Sequence, residues 1–522
     1  MKQRVTYFLP EGARVDPQDI HVTNDSLTFA RAKDAAIEKK VTAGLSELPE
    51  ELRHIFADLH ELHFRFQSRT PYTAAAPLTS RLPPGLHASF TPRKPESPVE
   101  LCPLLHQLFS PDLKCTTSAD SFSTPPILSE RFSAAAAYQY FHPLPRLLHF
   151  QTTIARLLCG TSVKGPCVNE AAALSYASYL DIDFDAISHA VTLTAFWRAD
   201  LPGGLAKNVP AKGGPNDKLE VGVLTVEPPD EAEEVKLGGY LTVIGEDSTP
   251  KPTLFSFPSR HQPLPLNLLN QTYTTNFPPP TGLHPTLTLT FPRPPQAPQP
   301  DCALHAYLTL PSALFLDPYA LADPLTLSTH NLKALHALSG AIDLEAPDWT
   351  TATWGSAALL ELAHPSSTPS PKDFTAGTPY TITIPTHLRY LPPNPHDAHG
   401  SATHANLTIP HPSIFYACPA TEGLKFPSNP FDRTHLGYDA LFGPRTMFYH
   451  IPPSSLPETA SGGLVETLEV PVLASAVVGA EAVRLGTWGV VAAGVGWVGW
   501  MLFKGWRGEQ RAGKGKGKGK RA

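Results

Sequence analysis

The sequence lacks the motifs by which most enzyme classes are recognised. It contains no G-x-S-x-G, P-loop, H-E-x-x-H or glycine-rich dinucleotide-binding turn, so nothing in it indicates a hydrolase nucleophile, a phosphate cradle, a zinc protease or a nicotinamide cofactor. C-x-x-C pairs and zinc-ligand spacings are also absent, which leaves thiol exchange and structural zinc without support. We therefore expect an accessory protein rather than an enzyme, with neither metal nor cofactor.

Charged residues are scarce and proline is abundant. Charged residues make up 17% of the chain, below the usual ~25%, which indicates a surface that is unusually apolar or covered by a partner. Proline accounts for 58 of 522 residues, about twice its usual share. Because proline removes a backbone donor and stops helices, this density excludes a helical bundle or solenoid. It favours a mainly β fold with many turns.

An uncharged, mostly apolar run lies near the end of the sequence, over residues 485–503. A helix of that length spans ~28 Å at 1.5 Å per residue, close to the ~27 Å hydrocarbon core of the endoplasmic reticulum membrane. Arg484 and Lys504 bound the run, and Trp488 and Trp500 lie near its two ends, as expected at membrane interfaces. The sequence therefore predicts one transmembrane helix.

Small residues within this run predict a face that a partner helix can approach closely. Gly489 pairs with Ala493, and Ala492 with Gly496, at the i, i+4 spacing of small-xxx-small motifs. Scattered glycine in a short span is the alternative interpretation.

The residues after the span carry positive charge. Residues 504–522 have eight basic side chains and one acidic side chain, a net charge of +7. Since the whole chain has a net charge of −6, residues 1–503 carry −13. The positive-inside bias places this tail in the cytosol and the large body in the lumen; a tail anchor with a cytosolic body is the alternative. The partner of the tail is then a membrane surface, not a nucleic acid. Lys518 and Lys520 fit a K-x-K-x-x retrieval signal for the endoplasmic reticulum.

Two further features bear on the compartment. The start of the chain offers only Val5–Leu9 as an apolar run, shorter than the ~7–15 residues of a signal peptide, so none is expected. Three glycosylation sequons begin at Asn24, Asn270 and Asn406, consistent with a lumenal glycoprotein.

The body divides by composition into two β regions. We predict an N-terminal α+β region over 1–248, a proline-rich connection over 249–283, a β-sandwich-like domain over 284–473 and a basic tail over 504–522. The apolar spacing within residues 45–67 predicts a helix in the first region. Strands predicted in the second region include His284–Phe291, Ala303–Leu310, Asp343–Ala346, Tyr380–Ile384 and Ser413–Cys418.

Two polar clusters resemble catalytic or metal sites. Asp181 and Asp183 form an Asp-x-Asp pair of the kind that holds a metal against a sugar nucleotide in glycosyltransferases. They alternate with apolar residues, which favours a half-buried strand with a solvated acidic face. Four histidines lie in a proline-rich region at irregular spacing, which favours a solvated loop over a metal site; they are His387, His396, His399 and His404. The six cysteines leave 15 disulfide connectivities open.

Three stretches of the second region carry a family resemblance. They read LPSALFLDPY from residue 310, DLEAPDW from residue 343 and IPTHLRY from residue 384. Together with the terminal span, residues 284–503 resemble the PIG-X family, and the whole chain is similar to the fungal protease B non-derepressible proteins. The resemblance implies an endoplasmic reticulum membrane glycoprotein with a lumenal body. Its implied function is to stabilise the multi-span catalytic subunit of GPI mannosyltransferase I, with no catalytic residues of its own.

The resemblance leaves two alternatives and one local hypothesis. A glycosyltransferase acting through Asp181 and Asp183 is the first alternative, and a general lumenal folding factor is the second. Within the last stretch, strand alternation places His387 and Arg389 on one face. They either end a core strand or contact the partner directly.

Overall fold

A computed structural model of the chain describes most of the body and the terminal helix. The described residues are 1–10, 12–13, 20–22, 27–29, 34–48, 50–75, 77–94, 99–125, 137–159, 166–199, 208–209, 218–227, 236–244, 251–364, 379–392, 404–420, 429–431, 436–454, 463–472 and 480–515. Strands form 42% of the structure and helices 22%, which confirms the mainly β prediction.

The strands and helices are numbered in chain order. The strands are β1 Lys2–Phe8, β2 Ile20–Val22, β3 Leu27–Phe29, β4 Ala36–Gly44, β5 Leu59–Gln67, β6 Gly85–Pro92, β7 Tyr138–His142, β8 Tyr179–Asp185, β9 Ala190–Trp197, β10 Asn208–Val209, β11 Lys218–Glu227, β12 Lys236–Ile244, β13 Thr253–Pro258, β14 His261–Gln262, β15 Thr274–Asn276, β16 Thr286–Phe291, β17 Ala303–Pro311, β18 Leu314–Phe315, β19 Leu332–Gly340, β20 Gly355–Leu362, β21 Tyr380–Pro385, β22 His387–Leu388, β23 His404–Pro410, β24 Ser413–Pro419, β25 Thr446–His450 and β26 Val465–Pro471. The helices are α1 Glu50–Ala57, α2 Cys102–Leu108, α3 Ser118–Ser121, α4 Leu148–Cys159, α5 Pro166–Ala173, α6 Pro324–Thr329 and α7 Ala480–Gly515.

A ten-stranded sheet organises the N-terminal half, in the order β13-β12-β11-β1-β4-β9-β8-β5-β6-β7. The first strand lies inside it, parallel to β11 and antiparallel to β4. Helices α1, α2 and α4 cover one face and contribute Phe56, Leu105 and Phe150 to the core beneath them. The other face carries buried polar side chains such as Arg65 and Asp181 together with aromatic ones such as Tyr179 and Phe196.

Residues 45–67 contain less helix than their apolar spacing predicts, so that prediction is wrong in its second half. Helix α1 is short, and β5 begins only two residues after it ends. Leu62, Phe64 and Phe66 are buried at every second position, the period of a strand. The apolar residues partly fit both the helical period and the strand period. The segment forms a strand because it pairs with β6 and β8.

A six-stranded sheet organises the C-terminal half, in the order β14-β25-β24-β17-β20-β19. A disulfide joins Cys302 to Cys418, at the adjoining position of the β17–β24 ladder. A second joins Cys102 to Cys115 beside α2, and Cys167 is also disulfide-bonded. The structure therefore identifies two disulfides where the sequence left 15 connectivities open.

The strand predicted over Asp343–Ala346 is wrong, because this segment is a loop. The Asp343 carboxylate accepts a hydrogen bond from the backbone nitrogen of Glu345 at 2.9 Å. Such a bond offers the backbone an alternative to a sheet ladder, and Pro347, which follows, has no backbone donor to give.

The two β regions share a core. Residues 1–389 and 408–468 form one compact unit, and residues 390–407 with 469–522 form a second. Within the first unit, the ring of Phe141 lies edge-on to Trp354 at 5.8 Å. The segment predicted as a connection, 249–283, contains three strands. Strand β13 ends the ten-stranded sheet and β14 ends the six-stranded one, so the chain changes sheet between them.

The terminal helix α7 contains residues 482–507, which are long and apolar enough to cross a membrane by length and composition. This range includes the predicted span 485–503. Its side chains are solvent-exposed in the structure, as lipid-facing side chains of a single helix must be.

Removing the Cys302–Cys418 disulfide is expected to destabilise the body more than removing Cys102–Cys115. The loops that the two disulfides close span 116 and 13 residues. Loop entropy in the unfolded chain then predicts losses of about 5 and about 3 kcal/mol. Thermal or urea unfolding of the two paired Cys→Ala variants tests this, and a larger loss for the short loop would contradict it.

Candidate functional site

The stretch that carries the family resemblance forms a clamp around Phe315. Strand β22 pairs antiparallel with β18, which sets His387 opposite Phe315. The imidazole of His387 stacks on that ring at 5.4 Å, and the guanidinium of Arg389 lies over it at 4.2 Å. Both side chains therefore contact one face of β18, as strand alternation predicts.

Arg389 is a buried anchor for backbone carbonyls. Only 2% of it is exposed. Its Nε donates to the carbonyl of Ser312 at 3.0 Å, and its two terminal nitrogens donate to the carbonyls of Asp343, of Ala346 at 2.8 Å and of Ala341 at 3.4 Å. A buried arginine needs such partners. A direct partner contact through the Arg389 side chain is therefore wrong, because the body covers it.

The loop held by Arg389 presents apolar side chains to solvent. We call residues 341–349 the clamp loop. Ile342 and Leu344 are each 45% exposed and Trp349 is 59% exposed. The far end of the loop is also fixed, since the Asp348 carboxylate accepts from Ser312 at 2.6 Å. Exposed aromatic and aliphatic residues on a rigid loop are typical of protein interfaces.

His387 is half-buried and accessible at its edge. Its Nδ1 lies 3.2 Å from the Nδ1 of His284. Burial, with a contribution from His284, lowers the pKa of His387 below its usual value. A partner contact by His387 stays a prediction, and it would use a neutral imidazole.

Both carboxylates of the Asp-x-Asp pair form ion pairs with side chains of the ten-stranded sheet. The predicted metal-binding role of this pair is therefore wrong. Strand β8 carries both carboxylates, as predicted, but the prediction of a solvated acidic face is wrong, because the body covers Asp181. Asp181 is 1% exposed and accepts from Nε and Nη2 of Arg65, each at 2.5 Å. Asp183 lies 2.9 Å from Nδ1 of His63. Of the predicted histidine cluster, His396 and His399 lie outside the described residues, and His404 is exposed at the start of β23.

A second buried network, which sequence reasoning missed, centres on Asp439. Its carboxylate accepts from Arg81 at 2.7 Å and from Nε2 of His261 at 2.8 Å. Burial opposes ionisation, but Arg81 and His261 outweigh it and hold the pKa of Asp439 well below its usual range. The other nitrogen of His261 lies 2.9 Å from His450. No sequence spacing signals this cluster, since 178 residues separate His261 from Asp439.

A cavity of about 340 Å³ adjoins this network in the first unit. Its wall includes Tyr72, Leu264 and Ile451 beside His261 and His411, and the described lining residues include no Asp, Glu, Lys or Arg. Burial lowers the pKa of His411 to about 4, so its imidazole is neutral.

The remaining predicted sites lie on the surface or outside the described residues. Asn270 is exposed in a turn and Asn406 is exposed on β23, whereas Asn24 is not described. The small residues Gly489, Ala492, Ala493 and Gly496 lie on α7 with exposed surfaces. Lys518 and Lys520 fall beyond the described part of the chain.

These features define a class of protein: a mostly β body with internally paired charges, on the same chain as one helix able to span a membrane. The sequence profile of the PIG-X / PBN1 family matches residues 280–503. The protein pbn1 of Emericella nidulans is 45% identical to this chain, over 96% of this chain and 95% of that protein. The protein pbn1 of Neurospora crassa is 39% identical over the same shares. PBN1 of Saccharomyces cerevisiae is 28% identical over 46% of this chain and 50% of its own length. The chain belongs to the PIG-X / PBN1 family.

The His63 ion pairs predict a pH-dependent stability. Burial alone would lower the pKa of His63, but hydrogen bonds to Asp183 and Glu61 raise it to about 9. The unfolded imidazole titrates near pH ~6.5, so the folded state holds an extra proton between these values. Stability is then fully present below pH ~6.5 and falls by a few kcal/mol as pH rises to ~9.

Thermal unfolding at several pH values checks this, with His63→Gln expected to flatten the decline. His54→Gln is the matched control, because His54 is 80% exposed and three residues from the end of α1. Equal slopes in the wild type and His63→Gln would contradict the assignment.

Proposed function

We propose that this chain is a non-catalytic subunit that stabilises the catalytic subunit of GPI mannosyltransferase I in the endoplasmic reticulum membrane. That enzyme transfers the first mannose from dolichol phosphate mannose to the GPI-anchor precursor. The observation that carries the proposal is the clamp loop. Its apolar residues face solvent because Arg389, within the stretch that resembles the family, fixes the backbone that bears them.

Three observations support a lumenal body and a cytosolic tail. Five cysteines are in disulfides, namely Cys102, Cys115, Cys167, Cys302 and Cys418, and disulfides persist in oxidising compartments and are rare in the cytosol. Asn270 and Asn406 are exposed, as glycan acceptors must be. The basic residues that follow the span favour the cytosolic side.

The accessory role is supported by where the charges lie. Asp181 and Asp439, both fully buried acids, are each neutralised by an arginine inside the body. Groups that must reach a donor lipid or an acceptor glycan need an open cleft. The clamp loop instead presents apolar side chains on a fixed backbone, which suits binding of another protein.

Two parts of the chain would contact the partner. The clamp loop would meet a lumenal loop of the multi-span subunit. The small-residue face of α7, with Gly489 and Gly496, would pack against one of its membrane helices, since small residues let two backbones approach closely. Neither contact requires a charged group, in keeping with a chain that has only 17% charged residues.

Substituting the clamp loop tests the proposal. The variant Ile342→Ser, Leu344→Ser, Trp349→Ser removes the exposed apolar surface and keeps the Arg389 anchor. We expect at least a tenfold loss of co-purified catalytic subunit in mild detergent, because central aromatic and aliphatic anchors carry most of the energy of an interface. Accumulation of the unmannosylated GPI precursor should accompany it, at normal levels of this protein.

A matched control substitutes three exposed residues elsewhere in the body: Tyr176→Ser, Ile187→Ser and Leu254→Ser, which are 63%, 80% and 66% exposed. It should pair normally. Normal pairing by the clamp-loop variant would contradict the proposed surface. Depletion of this protein that lowers unrelated lumenal glycoproteins before the GPI precursor accumulates would instead favour a general folding factor.

A further inference from the structure

Three neighbouring strands of the six-stranded sheet bring two histidines and a glutamate together. His305 on β17 lies directly opposite Glu361 on β20. On the other side of β20, the edge strand β19 has register irregularities between Leu332 and Ala334 and between Leu335 and Ala337. The second irregularity coincides with His336, whose side chain reaches Glu361.

The three side chains have the distances expected of a preformed metal site. One ligand atom from each of His305, His336 and Glu361 lies within 4.8 Å of the other two. Nε2 of His336 is 2.7 Å from Oε2 of Glu361. A zinc ion with bonds of ~2.0–2.1 Å holds its tetrahedral ligands ~3.3 Å apart, so adjustments of about an ångström complete the geometry.

His305 is held in the orientation and tautomer of a metal ligand. Its Nδ1 is 3.0 Å from the carbonyl of Ala303. Because a carbonyl only accepts, Nδ1 carries the proton and the lone pair is on Nε2. Histidine ligands in metalloproteins characteristically donate their second ring nitrogen to a carbonyl or carboxylate in this way. The rings of Phe415 and Phe442 flank His305 at 5.7 and 5.3 Å and fix its plane.

We propose that His305, His336 and Glu361 bind one Zn²⁺ ion with a fourth position open to solvent. Two imidazoles and one carboxylate favour zinc over Mg²⁺ or Ca²⁺, which prefer oxygen ligands. His336 is 40% exposed at its side chain, so the ion can enter from the surface. Lys333 lies 2.5 Å from Oε1 of Glu361 and keeps that oxygen as its partner while Oε2 binds the metal.

The site ties the edge strand β19 to the two strands inside it. Its ligands are separated by 31 and 25 residues in the sequence, which is why a search for short zinc spacings does not find it. Zinc binding at this site does not depend on the proposed interaction with the mannosyltransferase subunit.

Zinc binding by the full-length protein tests the proposal. The chain is purified in detergent with a tag that contains no histidines, stripped with a chelator and titrated with Zn²⁺ against a chromophoric competitor. We expect one ion per chain and a raised unfolding temperature, and Co²⁺ in place of zinc should give the visible absorption of a tetrahedral site. His336→Gln and Glu361→Gln should each weaken binding at least about tenfold.

His284→Gln is the matched control, because His284 is exposed and also lies beside a second histidine, and it should bind zinc as the wild type does. The proposal is overturned if the stripped wild type binds no zinc, or if His336→Gln binds as tightly as the control. Should Glu361→Gln fail to fold, His336→Gln still decides, because its side chain is largely on the surface.

Discussion

The arrangement of the body depends on the interactions of one buried carboxylate, that of Asp439. It receives a hydrogen bond from Arg81, which lies in the N-terminal half of the chain, and another from His261, at the edge of the six-stranded sheet. Removing one partner of such a buried pair leaves an uncompensated charge and typically costs about 3–5 kcal/mol. Arg81, His261 and Asp439 all belong to one compact unit, which contains residues of both β regions. The apolar cavity beside His450 lies where these halves meet.

Other buried charges of the body also have partners within it. Inside the body, Asp181 is neutralised by Arg65, and Arg389 is satisfied by backbone carbonyls. Charges used in this way stabilise geometry and are not exposed to a substrate. The geometry that Arg389 stabilises is the clamp loop, whose outward side chains are apolar. The interior acids Asp181 and Asp439 are thus each paired with an arginine, and the exposed clamp loop is apolar.

The sequence predicted those features that depend on local pattern. Alternation identified most strands, an uncharged run identified the helix in α7, and the motif around Arg389 identified the family. It failed where two periods fitted the same residues, as in residues 45–67, or where a side chain bonds its own backbone, as at Asp343. It gave no indication of the His261–Asp439 pair or of the cluster at His305, because only sheet register brings such distant residues together.

The compartment of the body is the central claim, since the partner, the disulfides and the glycans all require the lumen. Protease treatment of sealed microsomes, combined with glycosidase digestion, measures it directly. A lumenal body is protected until detergent is added, and the combined variant Asn24→Gln, Asn270→Gln, Asn406→Gln should abolish a glycosidase-sensitive mobility shift. A body that is digested in intact vesicles and carries no glycan would place it in the cytosol and contradict the account.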